Sequence, residues 1–177
     1  MSYQLLKENI DKFDFLKEHE KAKILKRYLE EKDIYERQPR TCSFVIKGEK
    51  IFSAMRPRVG KGSRIYAPDG KNKDLIAKLI KEQIKADYVD FNFFDYSYIE
   101  VEIQVYFAIP KLTKYEKVLS LLNIMRHVKK PDVDNIAKIY LDACNGVTWE
   151  DDCSITKLTI EKFLSEENEI RIKITYK

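Results

Sequence analysis

A chain of 177 residues has room for one domain and a short appendage, and 33 Lys and Arg against 29 Asp and Glu leave a net charge of only +4, which does not by itself mark a nucleic-acid partner. The 44% hydrophobic content is that of a globular protein, and 12% aromatics suffice for a core, which excludes a disordered chain. No uncharged apolar run is long enough to span a bilayer, and the opening Met1-Ser2-Tyr3-Gln4 lacks a secretory apolar segment; no membrane partner and a cytoplasmic location are expected.

Residues 1 to about 40 are dense in Lys and Glu. Apolar residues recur there at helical spacing, with Leu5, Leu6, Ile10, Phe13 and Leu16 in one set and Ile24, Leu25, Tyr28 and Leu29 in another. The spacing predicts one or two helices without chemistry, an extension over residues 1–41. Arg37-Gln38-Pro39-Arg40 marks a boundary. Two short apolar runs, Cys42 to Ile46 and Ile51 to Met55, flank a turn containing Gly48 and predict a hairpin. The stretch from Arg56 to Arg64 is basic and carries glycines. Arg56, Arg58, Lys61 and Arg64 are candidates for DNA contact, against the alternative of a solvated charge run.

Leu75, Ile76, Leu79, Ile80 and Ile84 share one face of an expected helix. Strict alternation from Ile99 to Ile109 predicts a strand with one buried face. Thr113-Lys114-Tyr115-Glu116 has capping-box form, and the helix it starts is expected to carry Val118, Leu119, Leu122 and Met125. Pro131 begins a new loop and helix, and Asn145-Gly146 supplies a left-handed stop. Thr156 to Phe163 and Glu169 to Tyr176 are expected as strands joined by residues 165–168. The order predicts an α+β domain over residues 42–177, with a mixed or antiparallel sheet and helices on one face. The cysteines Cys42, Cys144 and Cys153 are odd in number and lack CxxC spacing, which speaks for reduced thiols and against a disulfide frame or zinc site. His19 and His127 are expected at exposed helix positions, and Cys144, Tyr140 and Trp149 in the core; base stacking by Tyr140 or Trp149 is the alternative.

The chemistry concentrates between Lys130 and Asp152. Asp134, Lys138 and Asp142 are spaced i, i+4, i+8 and share a helix face. Asp132 stands at the mouth of that helix. Asp151-Asp152 lies in a turn beyond its end, where a folded-back chain brings an acid to the same mouth. Carboxylates converging there would repel without a cation, and Mg²⁺ favours a few hard oxygens and several waters. Bound Mg²⁺ polarises a phosphodiester and acidifies a water for in-line attack. A lysine beside it offsets charge on the phosphate. Arg126, Lys129 and Lys130 flank the acids. The alternative makes Asp132 and Asp134 helix caps, Lys138 and Asp142 a surface pair, and Asp151-Asp152 a solvated turn. A calcium loop is excluded, because Ile136 and Ala137 stand where an oxygen ligand and a glycine are required.

The series Lys130-Pro131-Asp132-x-Asp134-Asn135-x-x-Lys138-x-x-x-Asp142, then Asn145-Gly146 and Asp151-Asp152, resembles the signature of the RusA family of Holliday-junction resolvases. Phe52-Ser53-Ala54-Met55-Arg56-Pro57-Arg58 and Arg64-Ile65-Tyr66 look like the N-terminal part of many phage-borne members. The resemblance spans about residues 42–177. It implies a small homodimeric, Mg²⁺-dependent endodeoxyribonuclease, with Mn²⁺ as a substitute, that makes paired nicks across four-way junctions in recombination and repair. Carried onto matching positions, it implies metal-binding acids at Asp132, Asp134 and Asp152 and an essential Lys138. Asn135, Asp142 and Asp151 fall at supporting positions, and Lys129 and Lys130 join the basic loop as DNA contacts. The expected setting is a bacterial or phage-infected cell. Ser154 departs from the pattern, which often has Gln there, and residues 1–41 have no counterpart. A junction-binding protein that does not cut is the alternative, although binding alone calls for cations and not for acids. A phosphohydrolase of small substrates would show a Gly-rich phosphate loop before a helix, which is lacking.

Overall fold

The computed structural model describes residues 3–36, 38–48, 50–55, 58–59, 65–66, 68–96, 98–109, 111 and 113–177. The chain divides into two compact units, Met1–Pro39 with Lys177, and Arg40–Tyr176. In the first, α1 (Tyr3–Asp11) packs on α2 (Glu18–Glu36), and Lys21 approaches Asp11 at 3.9 Å. Ile10 is buried, while Phe13, Phe15, Ile24 and Leu29 are exposed.

The second unit is built on a four-stranded mixed sheet in the order β1-β6-β4-β5. β1 is Arg40–Lys47, β4 Ile99–Ala108, β5 Ile155–Ser165 and β6 Glu169–Tyr176. β6 runs antiparallel to both β1 and β4, and β5 lies parallel to β4. The alternation read from Ile99 onward puts Ile99, Val101, Ile103 and Val105 on one face, all at most 1% exposed. α3 (Gly70–Asp87) and α5 (Val133–Cys144) cover that face, contributing Ile76, Ile80, Ile136, Ile139 and Tyr140 to the core. Two-residue strands β2 (Arg58–Val59) and β3 (Ile65–Tyr66) pair with each other. No helix among the described residues is long and apolar enough to cross a membrane.

Several local expectations change. The hairpin between Cys42–Ile46 and Ile51–Met55 does not form, because β1 pairs with β6. Residues 51–55 send their backbone N–H groups elsewhere: Ala54 to the carbonyl of Asn135 at 2.7 Å, and Met55 to the carboxylate of Asp69 at 3.3 Å. The capping box at Thr113 and Glu116 is present, but α4 (Lys114–Leu121) stops before Leu122 and Met125, and Asn123 turns left-handed at φ 56°. Leu164 N–H then donates to Met125 O, and His127 N–H to Lys162 O, tying this segment to the β5 edge. His127 therefore lies off the helix, half-buried and stacked on Phe107 at 3.9 Å between ring centroids. β5 and β6 are near in sequence but separated in the sheet by β4, whose end their link crosses, with Asn168 Oδ1 accepting from Ala108 N–H.

Candidate active site

α5 carries most of the motif. Its apolar positions Ile136, Ala137, Ile139, Tyr140, Ala143 and Cys144 are buried, which turns Asp134 and Lys138 to solvent and leaves Asp142 half-exposed. Gly146 ends the segment at φ +67°, a conformation glycine adopts without strain. Asn145 Oδ1 accepts from the indole N–H of Trp149 at 2.6 Å, and Trp149 is 1% exposed. Trp149 and Tyr140 thus belong to the core and are closed to bases, and Cys144 is buried with them.

The acids of the motif have different surroundings. Asp132 occupies the N-cap of α5 with extended backbone, yet its carboxylate makes no capping hydrogen bond. The capping alternative therefore fails there, and the oxygens of Asp132 remain exposed and unused among the described residues. Asp134, in the first helical turn, accepts among the described residues only from its neighbour Asn135 Nδ2 at 3.3 Å. Asp151 does act as a cap: its carboxylate accepts from Cys153 N–H at 2.9 Å, which holds it below the usual carboxylate range. Asp152 opens a short 3-10 turn, Asp152–Ser154, and is shifted the other way. Desolvation raises its pKa, and the nearby charges of Asp151 and Asp142 raise it further.

Asp142 does not pair with Lys138, four residues away. Lys73 on α3 reaches across and donates to Asp142 Oδ2 at 2.5 Å, both side chains being about a quarter exposed. Asp142 raises the pKa of Lys73, chiefly through this hydrogen bond. Lys138 is exposed and has no ion pair or hydrogen bond among the described residues.

The entrance to α5 is an open groove of about 700 Å³ lined by Ser53, Ala54, Lys130, Pro131, Asp132 and Asn135. Two carbonyls of the loop leading into it, those of Lys129 and Pro131, accept from Lys162 Nζ at 2.7 and 2.8 Å. The other wall is fixed through the Ala54–Asn135 bond and through Asp69, a carboxylate 2% exposed that holds Met55 N–H. The sequence reading missed Lys73, Asp69 and Lys162. Lys162 had a signal, since it interrupts the apolar positions Ile160 and Leu164 on one face of β5. Lys73 and Asp69 had none, because their partners lie far away in sequence.

Of the cationic candidates, Lys129 and Lys130 are exposed beside the groove. Arg126, by contrast, is engaged, with Glu161 at 2.8 Å and the Phe163 ring at 4.4 Å. Arg56, Lys61 and Arg64 lie outside the described residues, and of Arg58 only the backbone in β2 is described. Among the described residues no three His, Cys, Asp or Glu side chains are grouped so that they could hold a metal ion, and the charges that act on Asp152 are those of Asp151 and Asp142. The donor set nevertheless suits a hard divalent cation: Asp132 and Asp134 present carboxylate oxygens to solvent, and Asp152 carries a charge that its surroundings oppose and a cation would relieve.

Residues 50–175 match the family model described as Endodeoxyribonuclease RusA. A protein of Bacillus subtilis (strain 168) named "Uncharacterized protein YqaN" is 33% identical over 79 residues, a match covering 43% of this chain and 56% of that protein. The chain thus spans little more than half the length of this relative.

Proposed function

Because the chain belongs to the RusA family of endodeoxyribonucleases, we propose that it is a divalent-metal-dependent endonuclease that resolves four-way DNA junctions by paired, symmetric nicks. One observation carries the reading. Among the described residues the motif leaves Asp132 and Lys138 free of the cap and the surface pair that would otherwise account for them, while Asp151 takes up the structural role. On this reading Asp132, Asp134 and Asp152 would hold Mg²⁺ or Mn²⁺, which would supply Lewis-acid polarisation of the phosphodiester and acidify a water. Lys138 offsets negative charge on the phosphate under attack. Asn135 and Asp142 support the helix face. Lys129 and Lys130, with Arg56, Arg58, Lys61 and Arg64, contact backbone phosphates and carry little base information. A homodimer gives one site to each of the two strands to be cut.

The test is incubation with labelled four-way junction, nicked duplex and linear duplex, with and without Mg²⁺ or Mn²⁺. Metal-dependent cutting of the junction in preference to the duplexes is expected. Binding to the junction without cutting under either metal would favour a non-cleaving junction protein.

A further inference from the structure

The motif places Lys138 four residues from Asp134 on one side and four from Asp142 on the other, so that side chains about 5–6 Å apart at Cβ compete for its ammonium. A lysine neutralised by a carboxylate on its own helix is a poor partner for phosphate. In the structure the competition with Asp142 is settled from another element. Lys73 projects from α3, which packs against α5, and takes Asp142 at 2.5 Å. The position of Lys73 is itself determined: it begins the second turn of a helix whose N-cap, Asp69, is buried at 2% exposure, and its backbone N–H donates to Asp69 O at 3.1 Å. The Asp69 carboxylate in turn holds Met55 N–H, so α3, the loop at residues 51–55 and α5 meet around this cluster. Asp69 also adds negative charge near Lys73.

We infer that Lys73 is a positioning residue of the active site: by occupying Asp142 it keeps the Lys138 ammonium unpaired and available to a DNA phosphate. The inference rests on the nuclease reading for the role of Lys138, but the division of charge it describes is a property of the protein alone. Removing the Lys73 ammonium leaves a half-buried carboxylate without a cation, and the nearest one on the same helix is Lys138. Asp142 then draws Lys138 along the helix face. Lys73→Arg keeps a cation of similar reach and restores the division.

Two measurements test this. In the first, lysines are acylated under limiting reagent and read by peptide mass spectrometry, without DNA or metal. Lys138 should label readily in the wild type and in Lys73→Arg, severalfold more slowly in Lys73→Met, and again readily in Lys73→Met/Asp142→Asn, where the competing carboxylate is gone. Unchanged Lys138 labelling in Lys73→Met, with its circular dichroism intact, overturns the inference. In the second, single-turnover cleavage of a four-way junction at saturating protein should fall by roughly threefold to tenfold in Lys73→Met, the span between an exposed helix pair and a charge-assisted bond to a half-buried carboxylate. In a Lys138→Ala background the same substitution should change the residual rate by less than about twofold, since its effect passes through Lys138. An equal loss in both backgrounds means that Lys73 merely supports the fold, which overturns the inference. Absence of cutting by the wild type would sink the nuclease reading, while the labelling result would still decide the charge division.

Discussion

The five aspartates of the motif differ in what their oxygens do. Asp151 holds a backbone N–H, whereas Asp132, at a helix N-cap where such a bond is common, holds none. This difference predicts two kinds of mutant. Asp132→Asn, Asp134→Asn and Asp152→Asn should each abolish metal-dependent cleavage and leave junction binding intact or stronger, because a carboxylate facing phosphate is removed. Gel-shift and cleavage assays on the same preparations check this, and near wild-type cutting by any two of the three would remove the proposed metal site. Lys138→Ala should slow cleavage by a factor of roughly 10² or more, the scale of one lost electrostatic group. If Lys138 were a surface pair, the cost would be under about 1 kcal/mol of stability with little change in rate. Rapid-quench rates and thermal melts of the same variant separate the two.

At the scale of elements, the mouth of α5 is shaped by strand β5 as well as by its own sequence. Lys162 sits where the strand's alternation calls for an apolar side chain, and spends its ammonium on the carbonyls of Lys129 and Pro131. Hydrogen bonds from a charged donor contribute roughly 1.5–3 kcal/mol, more than an ordinary pair. Lys162→Met should therefore free the approach to Asp132 while leaving the sheet in place. Hydrogen exchange should speed at Lys129, Lys130 and Asp132 and stay slow along β4 and β6. Cleavage should fall with little loss of junction affinity. Unchanged exchange in residues 129–132 would show that the loop is held by other contacts.

For the whole molecule, a four-way junction presents two strands related by a two-fold axis, and one site per subunit of a symmetric dimer matches it. Exposed apolar side chains support association. In the first unit Phe13, Phe15, Ile24 and Leu29 remain 41–79% exposed, and in the second Val118, Leu122, Ile124 and Val128 are 52–88% exposed. The proposed dimer predicts a doubled mass in light scattering at micromolar concentration and near-simultaneous nicks on a cruciform plasmid. A monomer releasing singly nicked junctions would make the protein a branched-DNA nickase.

The sequence alone determined what depends on neighbours along the chain. Alternation from Ile99 specified a strand and its buried face, Thr113 and Glu116 a helix start, Gly146 a helix stop, and the spacing of Asp134, Lys138 and Asp142 a shared face, because all of these are set by backbone periodicity over a few residues. The run from Lys130 to Asp152 likewise sufficed to point to the RusA family, whose model spans residues 50–175. Tertiary structure decided which partner each group takes. It placed β6 between β1 and β4, so the expected hairpin gave way to a sheet pairing with the end of the chain. It assigned Asp142 to Lys73 across 69 positions, Lys162 to the loop entering α5, and Asp69 to Met55. A carboxylate bonds whichever donor the packed elements bring within about 3 Å, and local spacing does not encode that distance.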